Sequence, residues 1–157
     1  MDRSQIEFFR GILRLLEREI GFQTDVESMC CGVTLGQCHV MMELSLRKEA
    51  SIKELSESLG IDKSALSRTV DKMVDSGLLT RTEGKTDRRY VELSLTDKGR
   101  QGAETINRIC NEYYGKLFER IPSEKHQSVV DSLTLLAEAM KSMRTEKNGA
   151  LSKKKKK

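Results

Sequence analysis

The apolar positions of this chain repeat with two periods, and the change of period marks the elements. Between residues 4 and 20, Ile6, Phe9, Leu13, Leu16 and Ile20 recur every three to four residues, as one face of a helix does. The same spacing holds for Ala103, Ile106, Cys110, Tyr113 and Leu117 within 97–120. It holds again for Val129, Leu133, Leu136, Met140 and Met143 within 123–144, and Pro122 breaks the chain between these two stretches. Thr34 and Gln37 form a capping box that opens a helix over 34–48. Ser51 and Glu54 form a second box, which starts a helix at Ile52. Ile52, Leu55 and Leu59 give that helix one buried face, and Gly60 supplies the left-handed residue that ends it. Asp62 then caps a helix over 63–76 with Leu66, Val70, Met73 and Val74 on one side, stopped by Gly77. From Leu78 the period drops to two. Stretches 78–82 and 90–95 alternate as strands, with EGKTDRR (83–89) between them and a further helix opening at Thr96–Gly99.

The order is helix, helix, cationic hairpin, helix. It predicts a mainly α fold with a small β-hairpin wing, that is, a winged helix-turn-helix, a device for placing one helix in the major groove of DNA. The polar face of helix 63–76 carries Ser64, Ser67, Arg68, Asp71 and Lys72. Short hydroxyls and long cations are the groups that reach base edges and phosphates. Lys85, Arg88 and Arg89 make the hairpin tip cationic, which suits the negative potential of the minor groove.

The run DKSALSRTVDKMVDSGLLTR, the wing residues Asp87-Arg88-Arg89 and the L-x-L-T-x-x-G run from Leu93 to Gly99 together resemble the MarR family of transcriptional regulators. Asp87 and Arg89 match the D-x-R motif of that family's wing. The resemblance implies that Asp87 positions cationic groups and that Arg89 enters the minor groove. It also implies a homodimer whose terminal helices (4–20, 97–120 and 123–144) intertwine, with 51–95 as the DNA-binding lobe of a single domain spanning 1–145. The apolar stripes of the terminal helices fit that arrangement, because unpaired they would leave large apolar surfaces in water. A two-fold dimer sets two reading helices about one DNA turn apart on a palindromic operator.

Charge refines the picture. The net charge is +4, yet Lys153–Lys157 alone contribute five positive charges, so the body of the protein is close to neutral with a local basic wing. A uniformly basic body would favour indiscriminate phosphate contacts. Residues 146–157 read as a disordered basic tail. No apolar run approaches membrane-spanning length, and the N-terminal stretch lacks a signal-peptide core, so a cytoplasmic protein without membrane contact is expected.

Three of the four cysteines fall in MCCGVTLGQCHVMM (29–42). Cys30 and Cys31 are expected in the loop before helix 34–48, and Cys38 in its first turn, where the helix dipole favours a thiolate. Clustered cysteines in a reducing compartment point to metal binding or redox chemistry rather than disulfides. Three soft thiolates would suit Zn(II), Cu(I) or As(III). Passive packing is the bland alternative. Cys110 reads as core, His39 as a non-ligand and His126 as a solvated residue.

The expectation is therefore a DNA-binding repressor released by an effector. That effector is either an ion or oxidant at Cys30, Cys31 and Cys38, or a small aromatic molecule in an interhelical pocket with the cysteines incidental. An enzyme is not expected, because no C-x-x-C pair and no nucleophile–base–acid set is present. A winged-helix module without DNA binding is opposed by Arg68, Lys72, Asp87 and Arg89.

Overall fold

A computed structural model describes residues 2–83 and 91–154; the side chains of residues 23–31, 83 and 147–154 also lie outside the described set. The elements are α1 (Arg3–Cys31), α2 (Leu35–Arg47), β1 (Glu49–Ser51), α3 (Ile52–Leu59), α4 (Lys63–Asp75), β2 (Leu79–Glu83), β3 (Val91–Leu95), α5 (Asp97–Phe118) and α6 (His126–Lys154), with a single 3₁₀ turn at Ser123–Lys125. The expected mainly helical fold with a β-hairpin is what the chain forms.

The local signals act where the sequence put them. Thr34 Oγ1 accepts from Gln37 N while the Gln37 side chain accepts from Thr34 N, closing the box at the start of α2. Ser51 and Glu54 do the same for α3, and Gly60 ends it at φ +64°. The carboxylate of Asp62 accepts from Ser64 N and Ala65 N at the start of α4.

Several expectations are corrected. The first helix does not end near residue 20 but continues to Cys31, where Gly32 at φ +64° turns the chain. Gly21 inside a helix costs only about 1 kcal/mol, too little to stop it. Cys30 and Cys31 thus belong to the last turn of α1 rather than to a loop. A third strand, β1, joins the hairpin, giving the antiparallel order β1-β3-β2. Finally, α6 runs to Lys154, into the stretch expected as a disordered tail, because Ala, Leu, Lys and Glu sustain a helix well.

The chain divides into two compact units, residues 1–110 and 111–157. The first holds the core. Val40, Met41 and Leu44 of α2, Leu55 of α3, and Leu66, Val70 and Met73 of α4 are fully buried with Leu79 and Leu93 of the sheet and Ala103 and Ile106 of α5. Glu43 ties α2 to α3: its Oε1 accepts from Ser58 Oγ and Arg47 Nε, each at 2.5 Å.

The L-T-x-x-G run is the joint between the sheet and α5. Thr96 N and Oγ1 donate to Leu78 O, Thr96 Oγ1 also reaches Gly77 O, and Gly99 N donates back to Thr96 Oγ1. Lys98 Nζ donates to Ser76 O, so the turn after α4 is held on the first turn of α5.

In the second unit the ring of His126 is half-buried rather than solvated. Its Nε2 lies 3.0 Å from Phe118 O and 2.9 Å from Ile121 O, and the ring meets Phe118 edge-on. Together with the Ile121 N bond to Phe118 O, this braces the turn that follows α5.

Candidate nucleic-acid interface

Helix α4 is built in two halves. Leu66, Val70 and Met73, spaced three and four apart, are at most 1% exposed and fix the helix on α2 and α3. The rotation that buries them turns Ser64, Arg68, Asp71 and Lys72 to the outside, all exposed, with Ser67 half-buried at the margin. Four expected DNA-contacting residues, Ser64, Ser67, Arg68 and Lys72, therefore share one helix surface. The other four, Lys85, Asp87, Arg88 and Arg89, lie outside the described residues.

The hydroxyl of Ser64 is already engaged, donating to Asp62 Oδ1. That bond, followed by those from Ala65 N and Ser64 N, holds the Asp62 carboxyl below its ordinary range, with Arg68 adding to the effect. Ser64 thus keeps only its acceptor lone pairs for a further partner.

One pair was not assigned from sequence. Arg81 of β2 donates through Nη2 to Asp71 Oδ1 of α4. In the register of the sheet Arg81 faces Leu93, and Leu79 faces Leu95. Arg81 is therefore on the apolar phase of β2, the face that packs on the helices. A charged residue on that phase was the signal the sequence offered, although it did not identify the partner.

Of the cysteines, Cys38 sits at the start of α2, half-buried against the core, with His39 exposed beside it. The side chains of Cys30 and Cys31 lie outside the described residues. Among the described residues, no three His, Cys, Asp or Glu side chains gather as a metal site. Cys110 packs against the core, as expected.

Residues 32–89 match the family model described as MarR family. The stretch includes α2, β1, α3, α4, β2 and the D-x-R segment. A structure of a MarR transcriptional regulator from Methanosarcina mazei superposes at TM-score 0.73 with 26% identity, covering 87% of this chain and 99% of that one. The family match and this superposition support a winged helix-turn-helix regulator of the MarR family. Members of this family are transcriptional regulators, not enzymes.

Among curated relatives, the transcriptional repressor MdtR of Bacillus subtilis is 34% identical over 68 residues, which is 43% of this chain and 44% of that protein, so the match spans less than half of either. The regulator BilQ of Clostridium symbiosum is 24% identical over 105 residues, 67% of this chain and 73% of its own length. The fold is also that of a cysteine-to-serine mutant of MarR from E. coli, solved with operator DNA, at TM-score 0.70 and 20% identity over 87% of this chain and 99% of that one. No helix among the described residues is long and apolar enough to cross a membrane.

Proposed function

We propose that this protein is a homodimeric, DNA-binding transcriptional repressor that reads a palindromic operator in double-stranded DNA through α4 and releases it when an effector binds. The observation that carries the reading is the division of α4: a buried stripe that fixes the helix, opposite an exposed surface carrying Ser64, Arg68 and Lys72. Its cations supply phosphate attraction and its donors can read base edges. The wing residues Lys85, Asp87, Arg88 and Arg89 supplement it in the adjacent minor groove. A cytoplasmic site of action goes with this role.

Effector sensing is assigned to Cys30, Cys31 and Cys38, which the sequence places at either end of the short link from α1 to α2. An ion such as Zn(II), Cu(I) or As(III), or oxidation of a thiol, would bias the angle at that link and so the spacing of the two reading helices. The effector shifts the equilibrium by its differential affinity for the two states. A second reading is favoured by a cavity of about 450 Å³ between the end of α2, the end of β3 and the start of α5. Leu44 and Leu95 form its apolar floor, with Lys48, Arg100 and Glu104 among its polar lining. A volume of that order suits a small aromatic molecule.

Selection of duplexes from a random pool, followed by native mass spectrometry, tests the first part: an inverted repeat bound by two chains is expected. Replacing Cys30, Cys31 and Cys38 together by Ser tests the second. The variant should still bind the selected duplex and lose release by arsenite, zinc or peroxide. Normal release from the variant would transfer the effector site to the α2–β3–α5 cavity.

A further inference from the structure

The pair of Asp71 and Arg81 crosses from the reading helix to the strand that leads into the wing segment. Asp71 lies three residues after Arg68 and beside Lys72, so its carboxylate occupies the centre of the surface proposed to face DNA. It is 51% exposed, and Arg81 is 39% exposed. An exposed carboxylate against a phosphate backbone is repulsive, and in this position it works against every duplex regardless of sequence. An exposed ion pair adds little to folding, since it is screened and costs side-chain freedom. Stability is thus a weak reason for placing a negative charge there.

We infer that Asp71 is a specificity-determining residue, which holds Arg81 against the flank of α4 and penalises binding that rests on phosphate contacts alone. On a non-cognate duplex the Asp71 charge opposes the backbone, and Arg81, occupied by Asp71, adds no phosphate contact. On a cognate duplex, contacts from the rest of α4 to base edges outweigh this cost. This inference rests on the DNA-binding reading above, and it assigns Asp71 and Arg81 a role in discrimination rather than in affinity.

The two partners give opposite predictions, which a merely structural pair would not. Asp71→Asn keeps the side-chain shape, removes the negative charge and releases Arg81 to the phosphates. Arg81→Gln removes a cation and leaves Asp71 unpaired. Affinity of the full-length protein is measured by fluorescence anisotropy on the selected duplex and on a scrambled duplex of the same composition, over a salt series. Asp71→Asn is expected to bind the scrambled duplex about threefold to fivefold more tightly, the range of an exposed charge pair. Its logarithmic salt slope should steepen by about one, the signature of an added phosphate contact. The selected-to-scrambled ratio should fall. Arg81→Gln should weaken binding to the scrambled duplex, and the double variant should lose the gain of Asp71→Asn. If both single variants move scrambled-duplex affinity in the same direction, or leave the ratio unchanged while the wild type discriminates, the inference is wrong. If the wild type enriches no duplex at all, the DNA-binding reading fails, and this inference with it. The thermal midpoint of each variant shows whether it is folded; should Asp71→Asn fail to fold, the opposite-sign test passes to Asp71→Ser alongside Arg81→Gln.

Discussion

A Cβ built on Gly99 would lie 2.1 Å from Leu78 O and 3.1 Å from both Leu78 C and Leu95 Cδ2. No side chain fits there without moving the backbone that Thr96 and Lys98 clamp. In an open helix position Ala would be the better residue by about 1 kcal/mol, so the clash decides the sign. Gly99→Ala should destabilise the fold by about 1–3 kcal/mol, as overpacking in a closed core does. A thermal or urea midpoint at or above that of the wild type would contradict the packing described for this joint. The sequence made Gly99 visible only as part of a family pattern. Its physical reason, the carbonyl of Leu78 just ahead of β2, is a tertiary contact that no local rule contains. Asp71 and Arg81 were obscured for the same reason. The alternation of β2 puts Arg81 on the apolar phase, but the sequence does not say which helix supplies its partner.

At the scale of elements, what was legible was local. Capping boxes at Thr34 and Ser51, the cap at Asp62 and the stop at Gly60 depend on neighbours within a few residues, and each stands where it was expected. Strand β1 escaped because three residues carry no periodicity; its pairing with β3, Ala50 opposite Leu93, is non-local. Three hydrogen-bonded carboxylates also make a prediction about acid. Ser58 lowers the pKa of Glu43 by donating to it, and the backbone N–H of Ser51 does so for Glu54. Ser64 acts in the same way on Asp62. Because these values are depressed in the folded protein, the stability they contribute is present above the ordinary carboxylate range and is lost as pH falls through the depressed values. The melting temperature should therefore hold from neutrality to about pH 5 and drop below about pH 4. Asp62→Asn, which preserves a capping oxygen, should make that acid limb shallower. An acid limb identical in the variant would show that Asp62 contributes nothing to the acid dependence.

The whole molecule presents more apolar surface than a solitary chain in water should. On α1, Phe8 is 73% exposed and Ile20 63%; on α6, Leu133 is 51% exposed and Met143 61%. A second copy of the chain, which the proposed function requires, would cover surface of this kind. Sedimentation should give a dimer at micromolar concentration. Leu16→Glu with Ile20→Glu should shift it to monomer while leaving the helical signal of the core in place. A wild-type monomer would leave those faces unexplained and would deny the two-fold reading of a palindrome.

If α4 reads DNA, the loss should be plainest at Arg68, whose side chain is exposed on the outer face and holds up nothing in the core. Binding of wild type and Arg68→Ala is compared on the selected duplex and on its scrambled counterpart at one salt concentration. The substitution should cost about 1–3 kcal/mol on the selected duplex and clearly less on the scrambled one, with the thermal midpoint unchanged. An equal loss on both duplexes would make Arg68 a phosphate contact, and no loss on either would show that α4 is not the reading helix.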